Sequence, residues 1–192
     1  MRSWPLPVLL LVAVAEAAAG FDVSSPVPFE VRSEADTGDG RLANGEGVLV
    51  PLTQLAVLFS EPMRDPAGSS APDDLTNPDN WLLVAAGADD EVRTSSCAAG
   101  PDPADVVVPL DGVLAWTAQN GGVLDLEGLR PLLHGRYRLL ACATLVDLAG
   151  NPLDGNGDGL GGDDMVLDFL QLADATFANP NVDVGLDNWT AG

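Results

Sequence analysis

The chain of 192 residues carries 29 acidic residues against eight arginines and no lysine, a formal charge of −21 at pH 7. A surface this negative repels phosphate backbones and anionic lipid, which argues against nucleic-acid or peripheral membrane binding and favours divalent cations or basic partners. With 21 Gly, 15 Pro, only 5% aromatics and short apolar runs between turn signals, this is the composition of an all-β chain.

Residues 1–19 read as an export signal: Arg2 supplies the positive start, residues 6–15 the apolar run, and Ala17-Ala18-Ala19 a small-residue cleavage site. The run falls short of the roughly 20 apolar residues a membrane-spanning helix needs. No later stretch is expected to cross a membrane, so the expected destination is the cell surface or the medium. Removing the signal takes away Arg2 and Glu16 together and leaves the charge at −21.

Residues 27–31 alternate and read as an edge strand, a position that suits Pro26 and Pro28. Residues 34–47 read as a polar, Gly-rich loop. Residues 53–60 give a strong strand with Leu55, Val57 and Phe59 on the core face. Pro62 ends it, and Met63 reads as an apolar plug. Residues 65–80, broken by Pro66, Gly68, Pro72 and Pro78, read as a loop with one helical turn. Residues 81–85 form the next strand. Its Trp81 is a core residue on burial statistics, with a ligand platform as the rival reading. A long loop over residues 87–105 holds Cys97. Strands follow at 105–109, 112–117 and 123–126, the last two joined by a hairpin at Asn120-Gly121. In residues 136–144, Tyr137, Leu139, Ala141 and Ala143 share one face. Arg136, Arg138, Leu140 and Cys142 share the other, which the arginines mark as partly wet. Residues 165–171 close the unit. Seven to nine short strands at this spacing predict a two-sheet β-sandwich.

Two phrases in this pattern carry a resemblance: Val57-x-Phe59-Ser60-Glu61-Pro62-Met63, and Tyr137-x-Leu139 followed by Asp147-x-Ala149-Gly150-Asn151-x-Leu153. Together they resemble the Ig-like β-sandwich modules of bacterial surface-layer proteins, the SbsA-type Ig-like family, over residues 20–171. The resemblance implies an Ig-like sandwich that serves as a structural spacer or adhesive element and does not catalyse. It implies partners among neighbouring Ig-like modules, cell-surface proteins or glycans, and makes Asp147, Gly150 and Asn151 a structural corner. The long loop over 87–105 departs from the family pattern. Residues 172–192 read as a linker or the start of a truncated further module, with Asn179-Pro180 and Gly185-Leu186-x-x-Trp189 similar to the first strand of jelly-roll carbohydrate-binding domains.

The sharpest chemical candidate is Asp154-Gly155-Asn156-Gly157-Asp158-Gly159. Oxygen side chains at alternate positions, spaced by glycine, let a loop curl around Ca²⁺. Asp154, Asn156 and Asp158 match the opening of an EF-hand-type loop, and Leu160 offers a carbonyl. Met165 stands where a bidentate Glu would sit, leaving Asp163 and Asp164 as substitutes. A solvated Gly/Asp turn is the competing reading. Cys97 and Cys142, the two cysteines of an exported chain, are expected to pair, against an unpaired Cys142 packed as a small hydrophobe. His134, the one histidine, sits in a turn without metal-ligand partners and reads as a surface residue. No nucleophile elbow or phosphate-binding glycine loop accompanies these residues, so no enzyme is expected. The rival functional reading is a glycan- or protein-binding accessory module of a secreted multidomain hydrolase, which would want Trp81 and Trp116 exposed together in one groove.

Overall fold

A computed structural model describes residues 22–33, 40–116 and 120–172. The expected signal at 1–19 and the tail beyond Leu172 lie outside the described residues. The strands are β1 (Pro28–Arg32), β2 (Glu46–Val48), β3 (Gln54–Phe59), β4 (Trp81–Ala85), β5 (Val106–Val107), β6 (Leu110–Ala115), β7 (Gly121–Leu126), β8 (Gly135–Ala141) and β9 (Met165–Gln171). They form two sheets, β1-β3-β7-β6 and β2-β9-β8-β4-β5. The fold is an all-β, two-sheet sandwich, as the strand spacing predicted.

The interior follows from period-two alternation. Leu55, Val57 and Phe59 are fully buried, facing Leu83, Leu139 and Phe169 of the second sheet within one apolar cluster. The Phe59 and Trp81 rings meet 6.2 Å apart, and Tyr137 stacks on Phe169 at 5.4 Å. The Trp81 indole donates its N–H to the Leu75 carbonyl, and the Tyr137 hydroxyl donates to that of Leu133, so both aromatic residues are buried without an orphaned donor.

Three features depart from the expectation. Glu46 and Gly47, placed in a loop, form β2 together with Val48, and this strand pairs in parallel with the outer edge of β9. Gly121 and Gly122, expected in a turn, open β7 opposite Leu58 and Val57. A Cβ on Gly122 would stand 2.6 Å from the Trp81 ring, and one on Gly121 2.6 Å from the Val57 carbonyl oxygen, so these glycines leave room for neighbours. The strand expected over 136–144 stops at Ala141, where Cys142 turns away to meet the loop bearing Cys97. The connection between β6 and β7 includes residues 117–119, which lie outside the described residues.

The long loop closes over the outer face of the second sheet. Gly87 and Ala104 pinch its base so closely that a Cβ on Gly87 would meet the Ala104 oxygen at 1.9 Å. The Arg138 guanidinium donates to the Thr94 carbonyl at 2.7 Å while forking onto Asp168 at 2.6 and 2.8 Å. Asp105 accepts from the backbone N–H groups of Arg93 and Thr94 and from the Thr94 hydroxyl. These ties and the disulfide at Cys142 flank Leu140, which is fully buried along with Val84. The face that the arginines marked as wet is therefore wet only at its rim, where Arg136 is exposed.

The first and last described residues lie at opposite ends of the sandwich. Pro26 accepts from the Asp154 N–H, and Gly155 packs on the backbone of Asp164 and Met165 where β9 begins. Leu172 lies at the far end of β9, donating its N–H to the Val48 carbonyl. Seven residues of extended strand separate the two points, about 23 Å.

Candidate functional site

The acidic loop before β9 is organised by Asp154, whose residue is 2% exposed. One carboxylate oxygen accepts the N–H groups of Gly157 (2.8 Å) and Asp158 (3.1 Å), and the other accepts that of Gly159 at 2.8 Å. A short side chain that satisfies three backbone donors curls the loop back on itself. Asn156 accepts from the Asp158 N–H at 2.8 Å and turns its amide towards Asp158 (3.4 Å) and Asp163 (3.2 Å). The result brings ligand oxygens of Asp154, Asp158 and Asp163 within 4.8 Å of one another. These residues come from both halves of the predicted set. Oxygen-only donors at this spacing fit a hard cation in character, and the Asp154 oxygen that accepts only the Gly159 N–H keeps a lone pair for it. The Leu160 side chain is 71% exposed, and its N–H donates to Asp158.

Asp164 stands apart from that group. Its two oxygens accept the N–H groups of Cys97 and Ala143, each at 2.7 Å, so it ties the Cys97 loop to the end of β8. Beside it, Cys97 and Cys142 form the expected disulfide, with Cα atoms 5.6 Å apart. His134 is exposed in its turn.

A second group of carboxylates was not singled out from the sequence, although both phrases that carry the resemblance contribute to it. The backbones of Met63 and Asp147 pair, and Arg64 donates to the Val146 carbonyl. Met63 is fully buried there, the plug that the sequence suggested. Asp147 is 1% exposed and accepts both the backbone and the side-chain N–H of Asn151 at 2.7 Å. Gly150 completes the turn at a φ of 93°, a conformation that favours glycine. The corner role implied for these residues is the one their hydrogen bonds describe. Glu61 and Asp22 complete the group, with ligand oxygens of all three acids within 4.8 Å. Burial, then the charges of Asp22 and Asp147, push the Glu61 carboxyl above its ordinary range. The signal was present in Glu61 and Asp147; Asp22 joins them from a distant part of the chain, where the Asn151 amide donates to its carbonyl at 3.2 Å.

The two tryptophans do not share a groove. Trp81 is 4% exposed in the core, whereas half-buried Trp116 packs over Gly121 on the outer face of the first sheet. That arrangement counts against glycan stacking on the pair.

No protein-family model matches the chain, and no curated protein matches it. The solved structures it is similar to include three of the S-layer protein SbsC. The crystal structure of rSbsC(31–844) is 11% identical over 76% of this chain and 13% of that one, with a TM-score of 0.38. The structure of surface layer protein SbsC, domains 1–6, gives 11% identity, 76% and 13% coverage, and a TM-score of 0.39. The N-terminal part of the bacterial S-layer protein SbsC gives 10%, 77% and 23%, and 0.38. This chain thus spans between 13% and 23% of the length of those proteins, and at these TM-scores nothing about its own activity follows from their names.

Proposed function

We propose that the protein is an exported, non-catalytic Ig-like module that works as a structural spacer or adhesive element of a cell-surface or secreted protein. The observation that carries this reading is the course of the described chain, which runs from the Pro26–Asp154 end of the sandwich to Leu172 beyond the opposite end of β9. A module built in this way transmits load along its length and holds its neighbours about one strand length apart. The Cys97–Cys142 disulfide supports an oxidising destination, where such bonds persist. The charge of −21 keeps an array of such modules soluble and responsive to cations.

In this reading Ca²⁺ binds at Asp158 and Asp163 with one oxygen of Asp154 and stiffens the crossing into β9. Its partners are neighbouring modules of the same kind or a surface protein or glycan. Export is tested by expressing the chain with and without residues 1–19 in a bacterial host and trapping free thiols in each cell fraction. The full chain is expected outside the cytoplasm with both cysteines oxidised, and the shortened chain inside with both reduced. Retention of the full chain in the cytoplasm would remove the surface role.

A further inference from the structure

Three Asn-Gly steps are held in three different ways: Asn44-Gly45, Asn120-Gly121 and Asn156-Gly157. This dipeptide is chemically labile because glycine, lacking a Cβ, leaves its amide nitrogen unhindered beside the preceding side-chain amide. Asparagine is accordingly among the residues that thermally stable proteins reduce. We propose that Asn156 is a deamidation site built into the acidic loop, and that it converts ahead of the other two.

In the reaction the Gly157 nitrogen bonds to the Asn156 side-chain carbonyl carbon and gives up its proton. The bond from that carbon to Nδ2 breaks, and the departing nitrogen leaves as ammonia with the proton. Water then opens the succinimide ring at either carbonyl, giving aspartate or isoaspartate. No oxidant or reductant is involved.

The geometry favours the step at this position. The Gly157 N–H points at the Asp154 carboxylate, 2.8 Å away, so its proton already has an anionic acceptor. The Asp158 N–H donates to the Asn156 side-chain oxygen at 2.8 Å and polarises the carbonyl that must be attacked. Both Asn156 and Gly157 are exposed, so water reaches them.

The other two steps are restrained. The Asn44 side-chain oxygen accepts the Asp168 N–H at 2.8 Å much as Asn156 accepts that of Asp158, but Gly45 donates to the neutral Asp168 carbonyl at 2.6 Å, so its proton has no anionic acceptor and its nitrogen is tied to the backbone of β9. Gly121 is fixed in the β3–β7 ladder, crowded by the Val57 carbonyl, and the Asn120 side-chain oxygen is buried without a hydrogen-bond partner. Closing a ring there would tear the edge of β7.

Conversion at Asn156 changes the loop. The amide that donates to Asp158 and Asp163 is lost, and a fourth carboxylate joins the three already gathered there. Isoaspartate also lengthens the backbone at the crossing into β9.

The test is a peptide mass map of the full chain, sampled over weeks in mildly alkaline buffer, folded and in urea. In urea the three steps should gain their one mass unit at similar rates. In the folded protein Asn156 should convert several-fold faster than Asn44 and Asn120, with aspartate and isoaspartate both present. Folded-state protection of Asn156 equal to that of the other two, or earlier conversion at either of them, would overturn the proposal.

Discussion

Glu61 shows how one side chain can carry an electrostatic cost for the sake of position. Desolvation, with Asp22 and Asp147 beside it, raises its folded carboxyl value above the ordinary 4.5. A group raised in this way binds more protons folded than unfolded, so stability falls as pH climbs through the interval from 4.5 to the raised value. Asp105 has the opposite sign. Burial opposes its charge, but the Thr94 hydroxyl and the N–H groups of Thr94 and Arg93 outweigh it and hold the carboxyl below 3.8. Its contribution is present above that value and is lost as pH falls. Glu61→Gln keeps an amide that can donate to Asp22 and removes the charge. The variant should therefore melt higher than the parent at pH 7, with the gap narrowing as the pH falls through the raised value and the parent carboxyl takes up its proton. Melting curves across that range check it, and a gap that is independent of pH would contradict the assignment.

At the scale of elements, the acidic loop and the disulfide-tied loop meet on either side of the start of β9, with Asp163 facing one and Asp164 the other. Alternation and turn chemistry made the long strands legible, because Leu55, Val57 and Phe59 announce a buried face. The three-residue β2 carries no such rhythm, since Glu46-Gly47-Val48 is held by what β9 offers and not by its own pattern. Gly121-Gly122 misled for a related reason: local sequence reads as a turn, while the need for the glycines comes from the Val57 carbonyl beside Gly121 and the Trp81 ring beside Gly122, both far away in the chain. Likewise, spacing brought out Asp154, Asn156 and Asp158, but only the fold separates Asp163 from Asp164. The proposed Ca²⁺ site makes a direct prediction. At a free Ca²⁺ concentration a hundred times its Kd the ion would add about 2.7 kcal/mol, or roughly 5–10 °C in Tm for a domain of this size. Chelator should lower the Tm by that amount in the parent and leave a Asp158→Ala, Asp163→Ala double variant unmoved. An unchanged parent Tm would remove the ion from the account.

For the whole molecule, the fold class and the single cross-link followed from composition, strand spacing and compartment. The end-to-end course of the chain did not, because it depends on which strands pair. In the proposed spacer role the sandwich is a load path from the Pro26 end to Leu172, with the stretch between Cys97 and Cys142, 45 residues apart, locked out of any extension. Single-molecule stretching of the full chain between handles at its two termini tests the spacer reading most directly. The account predicts one dominant rupture, followed by an extension that grows by roughly 150 Å when the disulfide is reduced, at about 3.4 Å per freed residue. Yielding in several weak steps with no dominant rupture, or an extension unchanged by reduction, would contradict it.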